Sequence, residues 1–127
     1  MKIVVPTCRI LLGLMFTVFG LNGFLNFLTM PPPQGLAGEF MGALFASNYL
    51  VAVCALEVLT GALLLANRFA ALALAILAPI LVNIGLYHAL MAPQSAAPAA
   101  IAMVLWLVLA YRARASFAPL LLMKGVE

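Results

Sequence analysis

The sequence predicts an all-α integral membrane protein, a four-helix transmembrane bundle with its N and C termini in the cytoplasm. Three observations predict it. Hydrophobic residues make up 68% of the chain and charged residues only 7%, whereas a soluble domain carries about 45–50% apolar and about 25% charged residues. Four apolar stretches, 9–28, 48–66, 69–91 and 97–115, each approach the ~20 residues needed to cross a bilayer core. All six Lys and Arg side chains fall on one side of such a path. Lys2 and Arg9 precede or open the first stretch, Arg68 sits in the link between the second and third, and Arg112, Arg114 and Lys124 close the chain. The connections on the other side, 29–47 and 92–96, contain neither Lys nor Arg. Excess Lys and Arg marks cytoplasmic loops, and a wrong span count would scatter these charges over both sides.

The first span should run uncleaved from Arg9 to about Leu28. Its apolar run is too long for a signal-peptide core, and no small-x-small cleavage site follows it. Gly13, Thr17 and Gly20 fall on one helical face, a small-residue stripe that lets another helix approach closely. Met30-Pro31-Pro32-Pro33 should end the helix, since proline cannot continue it. In the outer-surface segment 29–47, residues 36–46, with Leu36, Phe40 and Leu44 as an apolar stripe and Glu39 off it, should form a short amphipathic helix on the outer surface or a long lead-in to span two. Ser47-Asn48-Tyr49 is the expected hinge.

The second span ends at Asn67-Arg68, leaving a nearly minimal turn, so spans two and three should be antiparallel neighbours. Ala52, Ala55, Ala62 and Ala66 form one face of span two, and Cys54, Glu57 and Gly61 roughly the opposite one. Span three contains Pro79, which should kink it. Pro93 and Pro98 bracket the next turn. Span four is short before Arg112, and Ser116 to Met123, interrupted by Pro119, should lie along the interface. The spans and connections occupy residues 1–127 as a single transmembrane domain.

Few side chains could carry chemistry. Glu57 is the one acid well inside a span, where a charged carboxylate costs at least ~2.5 kcal/mol, so it should face the bundle interior. Asn22, Glu57 and Asn83 all fall about 9–14 Å in from the outer boundary at 1.5 Å per residue. Asn26 lies four residues after Asn22, and Tyr87 four after Asn83. An outward-facing polar chamber of Asn22, Asn26, Glu57, Asn83 and Tyr87, with His88 at its mouth, is the candidate ligand site. Polar side chains also join helices by simple hydrogen bonding, which explains the asparagines equally well. Cys8 and Cys54 should be roughly 20 Å apart in depth, beyond the ~7 Å limit for a disulfide. No metal-spaced cluster, phosphate loop or basic–aromatic surface for nucleic acid is present, and one His is too few for paired haem ligation.

The residues resemble a known family. Arg9-Ile-Leu-Leu-Gly-Leu-Met-Phe-Thr-Val-Phe-Gly20 is similar to the opening span of DoxX-family membrane proteins. Glu57-Val-Leu-Thr-Gly61 resembles their second-span E-x-x-x-G pattern, and Pro79-Ile-Leu-Val-Asn83-Ile-Gly-Leu-Tyr-His88 the third span of one DoxX-like subgroup. Where many members carry a lysine near the end of the first span, this chain has Asn22 and Asn26. The resemblance implies a multi-pass protein of the bacterial inner membrane. It implies an accessory or quinone-handling subunit of a membrane redox system, with no redox centre of its own and no catalysis alone. Its partners would be the lipid bilayer and either redox subunits or further copies of the chain. A small proton-linked transporter using Glu57 and a purely structural assembly partner are the alternatives.

Overall fold

The computed structural model describes residues 2–123 and 125. The expectations placed on Lys124 and on the C-terminal Glu127 lie outside the described residues. Among the described residues all regular structure is helical. Helix α1 spans Val4–Leu25, α2 Gly35–Ala46, α3 Tyr49–Ala66, α4 Ala70–Leu90, α5 Ala97–Arg112 and α6 Arg114–Phe117. Single 3-10 turns cover Pro93–Ser95 and Ala118–Leu121. The long helices close into a ring, α1 against α3, α3 against α4, α4 against α5 and α5 back against α1. Leu12, Leu64, Leu74, Leu77 and Leu81 fill its centre, each almost wholly buried.

The closest contact is between α1 and α3. The expected stripe of Gly13, Thr17 and Gly20 does face another helix, and α3 answers it with a glycine of its own. A Cβ on Gly61 would collide with Thr17 Oγ1 and sit 2.7 Å from the Thr17 nitrogen and 2.8 Å from the Gly13 carbonyl oxygen. One on Gly20 would lie 2.9 Å from both the Cys54 carbonyl oxygen and the Val58 nitrogen. The pairing runs Gly13 to Gly61, Gly20 to Val58 and Gly23 to Cys54, so the two helices are antiparallel. Cys54 and Gly61 are buried in this seam, while Ala52, Ala55, Ala62 and Ala66 are exposed on the other side of α3.

Helix boundaries depart from expectation where local turn chemistry intervenes. Helix α1 begins five residues earlier than predicted, because Pro6 falls in its first turn, where a missing N–H costs nothing. It also ends before the proline run, at Asn26, which adopts the left-handed conformation with φ 51°. Asparagine tolerates that region far better than the leucines and phenylalanines around it. Asn67 ends α3 in the same conformation, and Asn48 adopts it just before α3 begins. Phe69, 71% exposed, adopts it just before α4 without that tolerance, and with Asn67 it folds α3 back onto α4 across a three-residue link.

Helix α2 is rotated from its predicted orientation. Its buried residue is Ala37, followed by the half-buried Met41 and Leu44, whereas Leu36 and Phe40 are exposed. The face turned inward is the one that packs on α3, and a Cβ on Gly38 would lie 2.6 Å from the Pro33 carbonyl oxygen, so the proline run lies close over the start of the helix. Helix α4 runs unbroken through Pro79. Helix α5 is only 16 residues long, about 24 Å at 1.5 Å per residue against a bilayer core of ~30 Å. The segment Arg114–Leu121 turns away from it by 77°.

Arg9, Arg68, Arg112 and Arg114 all gather at one end of the bundle, the end where α3 passes into α4. Large apolar side chains such as Leu14, Val18, Leu59, Val82, Val104 and Leu107 face outward along the shaft. Helices α1, α3 and α4 are each long and apolar enough to cross a membrane, and α5 joins them if it is counted with its bent continuation.

The α1–α3 seam makes a prediction. Gly61→Ala should destabilise the protein by about 3 kcal/mol, because backbone rather than a mobile side chain blocks the new methyl. Gly42→Ala, where nothing lies within 4 Å, should be neutral or gain up to about 1 kcal/mol from helix propensity. Equilibrium unfolding in detergent compares the two, and a Gly61→Ala protein of wild-type stability would contradict the seam.

Candidate functional site

Glu57 lies at the middle of α3, eight residues from Tyr49 or about 12 Å along the helix axis. Its neighbours on the inner faces of α3 are Cys54, Thr60 and Gly61, all buried. Thr60 is wholly enclosed, and its hydroxyl donates back to the carbonyls of Leu56 at 2.8 Å and Glu57 at 3.1 Å. That side chain is therefore satisfied within its own helix. The Glu57 carboxyl is half-buried, and among the described residues no side-chain hydrogen bond or ion pair reaches it. The partners expected from Asn22 and Asn83 are engaged elsewhere.

Asn22 and Asn26 close α1. The Asn22 side-chain carbonyl accepts the Leu28 N–H at 2.7 Å, and the Asn26 N–H donates to the Asn22 carbonyl oxygen at 2.9 Å. Asn26 is exposed. Both residues thus hold the chain where it leaves the helix. Asn83 is also exposed, and its amide donates to the Pro79 carbonyl oxygen one turn back at 2.8 Å. Its bonding is local to the proline turn of α4.

Tyr87 and His88 do come together, one residue apart at the end of α4. Their rings meet edge to face at 5.0 Å, and Phe40 of α2 lies 5.8 Å from Tyr87. The Nδ1 atom of His88 sits 3.2 Å from both the Ala92 carbonyl oxygen and the Ser95 hydroxyl. The group holds the Pro93–Ser95 turn on α4 and sets one ring of α2, which otherwise packs on α3, against Tyr87. The expected chamber is thus divided into a local cap at Asn22 and Asn26, a local bond at Asn83, an aromatic corner at Tyr87 and His88, and a carboxyl at Glu57 with no side-chain partner. Cys8 and Cys54 are both free thiols. Among the described residues no three His, Cys, Asp or Glu side chains converge as a metal site would need.

Sequence reasoning missed three features. Arg9 reaches across from α1 and donates through Nη1 to the carbonyl oxygens of Leu64 and Leu65, the latter at 3.2 Å. These belong to the last turn of α3, whose carbonyls lack the usual i+4 donor and carry its negative dipole end; the Leu64 carbonyl also accepts the Asn67 N–H at 3.2 Å. Trp106 Nε1 donates to the Leu74 carbonyl oxygen at 2.9 Å, tying α5 to α4 beside the carbonyl that Pro79 leaves without its usual donor. A basic residue placed level with a helix end on the neighbouring span is a legible signal for the first. A lone tryptophan gave no such signal for the second. The third is a cavity of about 180 Å³ among α1, α3, α4 and α5 at the arginine-bearing end, lined by Arg9, Asn67, Arg112, Leu64, Leu74 and Leu109 among others.

No protein-family model, curated protein or solved structure matches the chain.

Substitutions at two positions test these assignments. Arg9→Met should lower stability by about 2 kcal/mol, the usual worth of a charged hydrogen bond to a part-buried acceptor. Arg9→Lys should recover part of that, since an ammonium retains the charge but not the fork. Asn83→Leu should stay within about 0.5 kcal/mol of wild type, as an exposed, locally bonded side chain. Unfolding midpoints check both, and a strongly destabilised Asn83→Leu would show that Asn83 has an interior role.

Proposed function

We propose that the chain is a four-span protein of the bacterial inner membrane, DoxX-like, with both termini in the cytoplasm. In this proposal it serves as an accessory, quinone-handling subunit of a membrane redox system and has no redox centre of its own. The apolar shaft and the gathering of arginines at one end support the membrane placement. The observation that carries the functional part is the Glu57 carboxyl, half-buried in an apolar helix and lacking a side-chain partner among the described residues. A neutral carboxylic acid donates one hydrogen bond and accepts others. It suits the carbonyl of an apolar ring such as a quinone, in surroundings where intramembrane acids generally mark functional sites. Asn83 takes no part in this version of the site, because it is exposed and bonded to its own helix. A proton-linked carrier is the second reading, favoured by the same unpartnered carboxyl.

Topology is tested first. A reporter after Glu127 should be active only in the cytoplasm and one inserted near Gln34 only outside, and a periplasmic C-terminus would end the four-span proposal. The carboxyl is tested by titrating a short-chain quinone analogue into protein held in lipid nanodiscs. Glu57→Gln retains hydrogen-bonding capacity and should bind within about threefold of wild type. Glu57→Leu should lose at least tenfold, about 1.4 kcal/mol. Equal binding by all three would sink the quinone role, whereas pH-driven flux in liposomes that Glu57→Gln abolishes would favour the carrier.

A further inference from the structure

We propose that the cavity at the arginine-bearing end binds a phosphate oxyanion, presented as the headgroup of an anionic phospholipid. This site lies at the opposite side of Thr60 from Glu57 along α3 and is separate from the carboxyl discussed above. Its floor is apolar, formed by Val5, Leu64, Leu74 and Leu109, while Arg9, Arg112 and Asn67 supply the polar groups. Among the described residues no acidic side chain lines it. Two guanidinium groups therefore border one small, half-open space with no counter-charge among its described walls, an arrangement that an anion relieves. Arg9 uses Nη1 on the α3 carbonyls, which leaves the donors on Nη2 and Nε. Arg112 closes the last turn of α5 from the other side. Guanidinium forks match phosphate oxygens two at a time, as an ammonium does not.

The backbone adds to this. Ala70, the first residue of α4, also lines the cavity, and Phe69 before it provides no side-chain cap. The leading N–H groups of α4 thus have no side-chain acceptor, and helix starts of this kind favour anions. Size selects the class of ligand. A space of ~150 Å³ takes a benzene-sized molecule, so the half-open cavity of about 180 Å³ has room for a phosphate-bearing headgroup while the rest of a lipid stays outside. The acyl chains would lie outside, on the exposed apolar shaft. Basic pockets between membrane helices on the cytoplasmic side are recognised sites for anionic headgroups.

Native mass spectrometry of the full chain, released from detergent with added lipid, tests the site. Phosphatidylglycerol should be retained at least tenfold more than phosphatidylcholine. Arg112→Gln should reduce that retention at least tenfold, with Arg112→Lys intermediate. Arg114→Gln removes the same charge two residues on, from a guanidinium already stacked 4.4 Å over the Tyr111 ring, and should leave retention unchanged, as should Glu57→Leu. Inorganic phosphate in a separate arm distinguishes the source. Binding of phosphate alone, lost in Arg112→Gln, supports the oxyanion site and assigns it to a soluble anion. Equal retention of the two lipids overturns the proposal, and so does an equal loss in Arg112→Gln and Arg114→Gln. Helical circular dichroism confirms that each variant is folded; an Arg112→Gln protein that fails it leaves the decision to Arg112→Lys, for which wild-type retention overturns the site.

Discussion

The bundle is organised around the direct backbone contact between α1 and α3. Gly61 lies against the Thr17 nitrogen and the Gly13 carbonyl, and Gly20 against the backbone of Cys54 and Val58. Helices that approach this closely gain dispersion along their whole length, the main attraction left where surrounding chains are as apolar as the side chains themselves. The contact also sets the register of everything else. With α1 held antiparallel to α3, Arg9 arrives level with the last carbonyls of α3, and the short Asn67–Phe69 link brings α4 alongside. The α5 helix then completes the ring, tied by Trp106 to Leu74. One buried hydroxyl, Thr17 Oγ1, remains without a partner inside the seam, a cost accepted where the two backbones meet.

Polar groups in the long helices are directed mainly at backbone. Asn22 accepts from Leu28, Asn83 donates to Pro79, Thr60 donates to Leu56 and Glu57, and Trp106 donates across to Leu74. Each bond satisfies a group that would be expensive to leave bare in an apolar medium. Set against that pattern, the side chain of Glu57 is exceptional. Among the described residues no side-chain hydrogen bond or ion pair reaches it, and it stands at the middle of the helix that carries the seam.

The two ends of the bundle differ in chemistry as well as charge. One end gathers arginines around a small cavity and the starts and finishes of four helices. The other holds a proline-rich link, the short helix α2 and an aromatic corner of Phe40, Tyr87 and His88. The charge asymmetry of the linear sequence has become a spatial one, because every long connection lies at one end and the tight α3–α4 link at the other.

Composition and hydropathy alone determined the helical class, the presence of several long apolar helices and the end at which the arginines collect, since these follow from residue type and segment length. The glycine stripe of α1 and the Ser47–Tyr49 hinge were equally legible, because helical periodicity places residues on faces whatever they pack against. The proposed chamber was not. Depth along a span can be counted from sequence, but the angle at which a side chain leaves the helix toward its neighbours depends on packing. Asn83 shows this by lying exposed and Asn22 by capping its own helix. The start and end of α1 shifted because Pro6 and Asn26 act through backbone conformation, which the apolar pattern does not register. Tertiary structure alone decided which α3 carbonyls Arg9 reaches, that Trp106 bonds Leu74 and that Arg9 and Arg112 share a cavity. Each of these joins residues far apart in the chain, and only the close approach permitted by Gly61 and the ring closure by α5 brings them within reach.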